Sequence, residues 1–108
     1  MLRPVLCALL ALMPVLASAA DVPEYTLTIK DHKFTPAELS IPANTKIKLI
    51  VVNQDATAEE FESHELNREK VVTGNASIRV YIGPLREGRY PYFGDFHQET
   101  AQGALIAR

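Results

Sequence analysis

The sequence predicts an all-β sandwich of about six to eight short strands in a single domain. Three observations carry that expectation. Several stretches alternate apolar and polar residues with period two, one central run is β-branched and apolar, and turn-forming residues recur roughly every ten positions.

Residues 25–30 (Y-T-L-T-I-K) alternate cleanly, which predicts a half-buried strand. Phe34-Thr35-Pro36 breaks it, Leu39-Ser40-Ile41 resumes an extended path, and Pro42-Ala43-Asn44 turns the chain. Residues 46–52 (K-I-K-L-I-V-V) read as a central sandwich strand, closed by the turn chemistry of Asn53-Gln54-Asp55. Residues 58–66 (A-E-E-F-E-S-H-E-L) admit two readings. Thr57 with Glu60 makes a capping-box pattern and the composition favours a helix. The large apolar residues there are only Phe61 and Leu66, five positions apart, so no helical stripe forms. The extended reading is preferred, with a short helical turn after it; it puts Glu60, Glu62 and His64 on one face, turned away from Phe61. Thr73-Gly74-Asn75 is a further turn, and residues 78–82 (I-R-V-Y-I) alternate again. Gly83-Pro84 and Glu87-Gly88 bracket a loop before Tyr90-Pro91-Tyr92-Phe93, and residues 104–107 (A-L-I-A) form a last apolar strand.

The first 19 residues read differently. Arg3 gives a positive start, an apolar run follows, and Ala17-Ser18-Ala19 supplies small residues at the −3 and −1 positions, the pattern of a cleaved secretory signal peptide. The run of about 12 apolar residues falls short of the about 20 that span a bilayer. The expected layout is therefore a signal peptide over 1–19, a single domain over 20–108, and a periplasmic destination. The only cysteine, Cys7, and both methionines, Met1 and Met13, lie within the signal, and Cys7 comes too early for a lipoprotein cysteine. The mature chain would have no disulfide and no thiolate for nucleophilic or metal chemistry. About 90 residues suffice for one modest core. The formal net charge of −2 and the lack of a basic patch exclude a nucleic-acid partner. No phosphate-binding glycine loop, G-x-S-x-G elbow or H-E-x-x-H pair occurs.

A resemblance rests on several separated pieces. They are Phe34-x-Pro36, Ile41-Pro42-Ala43, a strand ending in Asn53-x-Asp55, Glu60-Phe61-Glu62, Pro84-Leu85-x-x-Gly88-x-Tyr90, Phe93-Gly94-x-Phe96-His97, and Ala101-x-Gly103. In this order the chain resembles the cupredoxin-like proteins, specifically the thiol-free periplasmic members found with bacterial ferrous-iron uptake. The resemblance implies a small Greek-key β-sandwich whose ligands come from the strand after the Asn-x-Asp turn and from the loop before the final strand. Blue-copper members carry a cysteine in that loop, about where Gly94 stands here, so a blue-copper centre is not expected.

The ligand-bearing segments hold Glu59, Glu60, Glu62 and His64 on one side and Asp95, His97 and Glu99 on the other. His97, Glu60, Glu62, Glu59, Glu99 and His64 are the candidate metal ligands, a carboxylate and imidazole set suited to iron, copper(II), zinc or manganese. His32 reads as a structural residue of a turn, and Phe61, Tyr90, Tyr92, Phe93 and Phe96 as core aromatics. The resemblance implies an iron or copper ion as cofactor, iron binding with ferroxidase-like oxidation of Fe(II), and a membrane iron permease or another periplasmic protein as partner. The alternatives are a copper(II)-binding or delivery protein and a metal-free sandwich module that binds a transport partner.

Overall fold

The computed structural model describes residues 21–108. The expected signal peptide and its cleavage site lie outside the described residues. The chain builds β1 (Glu24–Lys30), β2 (Lys33–Thr35), β3 (Glu38–Ile41), β4 (Ile47–Asn53), β5 (Glu59–Ser63), β6 (Arg68–Val72), β7 (Ser77–Ile82), β8 (Gly88–Gly94) and β9 (Gln102–Ala107), with one 3₁₀ turn, Asp95–His97, before the last strand. Two sheets result, one ordered β2-β1-β4-β7 and the other β3-β9-β8-β5-β6. The pairs β1/β4 and β3/β9 are parallel, and the other paired strands run antiparallel.

The all-β sandwich expected from the sequence is the fold observed, with nine strands where six to eight were expected. The difference lies in two strands that carry no period-two signal. β2 has three residues, and β6 (R-E-K-V-V) is an edge strand exposed over its first four positions. The ambiguous stretch after Thr57 is extended through β5 and then turns.

The core lies between the sheets. In β4, Ile47, Leu49 and Val51 face it and are fully buried, each contributing about 1.5–3 kcal/mol relative to exposure. Opposite them, Phe61 and Tyr92 pack with Phe34 from β2, the Phe34 ring standing edge-on to both. Phe61 and Tyr92 are core residues as expected, but Phe96 is 49% exposed. It sits in the 3₁₀ turn, beyond the end of β8, where strand alternation no longer directs side chains inward.

One buried amide fastens the corner where β4 ends. Asn53 donates from Nδ2 to the carbonyls of Thr57, Val72 and Thr73, and its Oδ1 accepts from the Asp55 N–H at 3.0 Å. β6 and β7 are edge strands of different sheets. Arg68 of β6 donates to the Tyr81 carbonyl of β7 at 3.1 Å, and Lys70 donates to the Arg79 carbonyl at 3.4 Å.

Candidate metal centre

The phase of β5 decides which acidic residues enter the site. Phe61 is fully buried and points to the core, so period two turns Glu59 and Ser63 inward and Glu60 and Glu62 outward. Glu59 is 1% exposed. Burying a carboxylate is costly unless donors satisfy it, and three groups do so. Its Oε1 accepts the backbone N–H of Phe96 at 2.9 Å and of Glu60 at 3.0 Å, while its Oε2 lies 2.5 Å from His97 Nδ1.

Gly94 makes the room. It pairs with Phe61 across β5 and β8 and has ordinary extended angles, φ −92° and ψ 110°. The glycine is therefore required by space and not by backbone conformation. A Cβ at this position would stand 2.6 Å from Glu59 Cδ and 2.6 Å from Ala101 Cβ. The Glu59 carboxyl thus fills the volume that a side chain at residue 94 would occupy.

His97 is carried by the 3₁₀ turn, whose return is fixed by its carbonyl accepting the N–H of Ala101 at 2.8 Å. A second histidine comes from the opposite sheet. Asp31 and His32 form the two-residue connection between β1 and β2, with φ of 52° and 57°. Left-handed angles at both positions are what a tight type I′ hairpin needs, but a non-glycine residue there costs about 1–2 kcal/mol. Asp55 offsets that strain: its carboxylate accepts the backbone N–H of Asp31 at 2.8 Å and of His32 at 3.0 Å. The His32 N–H, with help from Asp31 and the nearby imidazoles, holds the Asp55 carboxyl below the ordinary carboxylate range. Asp55 Oδ2 also lies 3.5 Å from His32 Nδ1. So held, the His32 ring stacks on that of His97, with centroids 3.6 Å apart and planes 14° from parallel.

One donor atom from each of His32, Glu59 and His97 lies within 4.8 Å of the others. Two imidazoles and one carboxylate form a set that iron, copper or zinc accepts. The residues present therefore fit a metal ion, and they do not fit a blue-copper ion, since no thiolate is available among them. His32 also has a carboxylate neighbour of the kind that commonly orients metal-binding imidazoles, Asp55, which stands outside the donor set. The site opens onto a surface depression of about 510 Å³ bordered by His32, Phe96, His97 and Glu99.

The candidate residues thus divide. Glu59 and His97 meet. Glu60 and Glu62 do not join His97, because the pleat sends them to the outer face, where they gather with Glu69. Glu99 borders the depression without entering either donor group, and His64 lies outside both, its ring 5.5 Å from that of Phe93. His32, read from the sequence as a structural turn residue, is the third member of the inner group. The signal that could have found it is the turn itself, a two-residue hairpin connection without glycine.

Fold and site together define a two-sheet β-sandwich with a histidine and carboxylate centre at one end. The sequence profile of the Cupredoxin-like domain family matches residues 4–107, and the chain belongs to that family, whose fold suggests metal binding or electron transfer. It is 54% identical over 86 residues to an uncharacterised protein of Rickettsia prowazekii, an alignment covering 80% of this chain and 69% of that protein. Among solved structures, it is similar to auracyanin A, a blue copper protein from Chloroflexus aurantiacus. The TM-score is 0.69 at 13% identity, with 82% of this chain and 100% of that one covered. It is also similar to amicyanin from Paracoccus versutus, with a TM-score of 0.62, 19% identity, and coverage of 82% and 83%.

Proposed function

We propose that this chain is an exported, thiolate-free cupredoxin-like protein that binds a metal ion at His32, Glu59 and His97 and handles iron in the periplasm. The convergence of those three donors, one of them a buried carboxylate, carries the reading. A bound ion would supply a centre of positive charge able to change oxidation state. The protein's part is to hold the donors ready. Asp55 locks the His32 turn, and the Phe96 N–H fixes the Glu59 carboxylate. Glu59 is a harder, more anionic donor than an imidazole and so favours Fe(III) over Fe(II). Each 1.4 kcal/mol or so of that preference makes oxidation of the bound cargo about tenfold more favourable. Oxidation of the cargo would need a periplasmic redox partner to take the electron, and uptake a membrane permease to receive the ion. Copper(II) binding or delivery is the second reading, favoured by the two imidazoles.

Metal titration of the purified exported protein tests this. His97→Ala, Glu59→Gln and His32→Ala should each weaken iron or copper(II) binding by about tenfold or more, whereas Glu65→Gln should not. His32 is part-exposed, so its variant keeps the fold. Parent-like affinity in all three would leave the partner-binding sandwich module as the better reading.

A further inference from the structure

The two sheets turn faces of opposite charge to solvent. In the four-stranded sheet Ile29, Phe34, Leu49 and Val80 are buried and point inward. The pleat therefore sends Lys30, Lys33, Lys48 and Arg79 outward. Lys46, just ahead of β4, joins them: its Nζ stands 5.1 Å from the centroid of the Tyr81 ring, and that of Lys48 stands 5.7 Å from it. The acid in those four strands is Glu24, held by Lys48 at 2.8 Å. In the five-stranded sheet the same alternation carries the other sign. Glu60 and Glu62 leave β5 on its outer face and Glu69 leaves β6 beside them, with Glu62 and Glu69 direct cross-strand partners. Its outward cation, Arg89, is held by Glu38. Arg68 and Lys70 reach over the rim to carbonyls of β7 instead. No run in the sequence records either face, because period two spreads each charge set over separate strands.

A second observation is independent of charge. Tyr81, 47% exposed, stands on the basic face, and Val71, 49% exposed, stands on the acidic one as the cross-strand partner of Glu60. Half-buried Ile50 and Val52 extend the first apolar patch, and half-buried Phe93, opposite Glu62, extends the second. Faces of opposite sign steer and orient an encounter, and apolar side chains among the charges supply contact area that charge alone does not.

We propose that this chain docks on a second copy of itself, the basic outer face of one four-stranded sheet lying on the acidic outer face of the other copy's five-stranded sheet. The contact brings the cations around Tyr81 to the glutamates beside Val71. It is heterologous: each copy keeps its opposite face free, so copies add head to tail. The metal centre lies at one end of the sandwich and on neither face, and the assignment does not rest on the reading of His32, Glu59 and His97.

Sedimentation velocity of the exported protein over a range of concentrations, with and without a chelator, decides it. The parent should pass from monomer to dimer to longer species as concentration rises. Raising the salt from about 0.05 M to about 0.5 M should weaken the association by about tenfold or more. Two double variants address the faces, Lys46→Glu with Arg79→Glu and Glu62→Lys with Glu69→Lys, with circular dichroism verifying their fold. Each alone should stay monomeric where the parent associates. An equimolar mixture should associate again, since the first keeps its acidic face and the second its basic one. A parent that is monomeric throughout, a dimer that never grows, association lost on adding the chelator, or a mixture that stays monomeric would each overturn the proposal. Binding of a monomeric parent to vesicles of anionic phospholipid, lost in the first double variant alone, would give the basic face a membrane as its occupant and overturn it too.

Discussion

Replacing Gly94 with alanine isolates the steric bargain at the centre. Two terms oppose each other. Gly94 has φ −92°, which alanine adopts freely, so restricting the unfolded chain should stabilise the variant by about 0.4–1 kcal/mol. Against this, the new Cβ would stand 2.6 Å from both Glu59 Cδ and Ala101 Cβ, far inside van der Waals contact. Overpacking of that kind costs about 1–3 kcal/mol. The steric term wins, and a net loss of about 0.5–2 kcal/mol is expected, with the melting temperature falling roughly 4–8 °C per kcal/mol. Because Glu59 is the movable neighbour, its carboxylate should shift, slackening its hold on the Phe96 N–H and His97, so metal affinity should fall with stability. Repeating the substitution in a Glu59→Ala background removes one clash and leaves Ala101, so the penalty should shrink without vanishing. Urea and thermal unfolding of the four proteins measure this. A Gly94→Ala variant as stable as its parent, or a penalty equal in both backgrounds, would refute the argument.

Two further outcomes are expected. Asp55→Ala removes a charged acceptor from two backbone N–H groups and should cost about 2 kcal/mol while weakening metal binding through His32; parent-like stability would show that the left-handed turn holds itself. In the parent, Asp55's contribution is present at neutral pH and is lost as acid protonates it, because its carboxyl titrates below the usual range. Glu60 has the opposite sign: its hydrogen bond to Glu69, then its burial and neighbouring carboxylates, push it from 4.5 up to about 7. The metal-free protein should therefore lose stability between about pH 4.5 and 7, and Glu60→Gln should flatten that slope in thermal melts; an unchanged slope would refute the assignment.

Most of the fold was legible because its central strands are half-buried, and burial writes period two into residues 25–30, 46–52 and 78–82. β6 escaped because an edge strand exposed over four of five residues has no apolar face to alternate with. Within the site, Phe61 already set the phase of β5: if Phe61 faces the core, Glu59 does too and Glu60 does not. Placing Glu60 and Glu62 beside His97 put the metal on the face turned away from Phe61, whereas His97 reaches Glu59 on the inner one. His32 was illegible for another reason. Its nearness to His97 depends on the two sheets facing each other and on Asp55 gripping a turn 23 residues away, and no local pattern records either.

The side-chain bonds from Arg68 and Lys70 to the rim of β7 bear on how the chain behaves at high concentration. A bare strand edge recruits other strands, the first step towards aggregates, and the sandwich has such an edge on each sheet where β6 and β7 lie. Here two cationic side chains occupy outward carbonyls of Arg79 and Tyr81 that an incoming strand would need. They lace the open flank without a backbone ladder, and they charge it as well. A newly folded copy then meets its neighbours with a rim already occupied and mutually repellent.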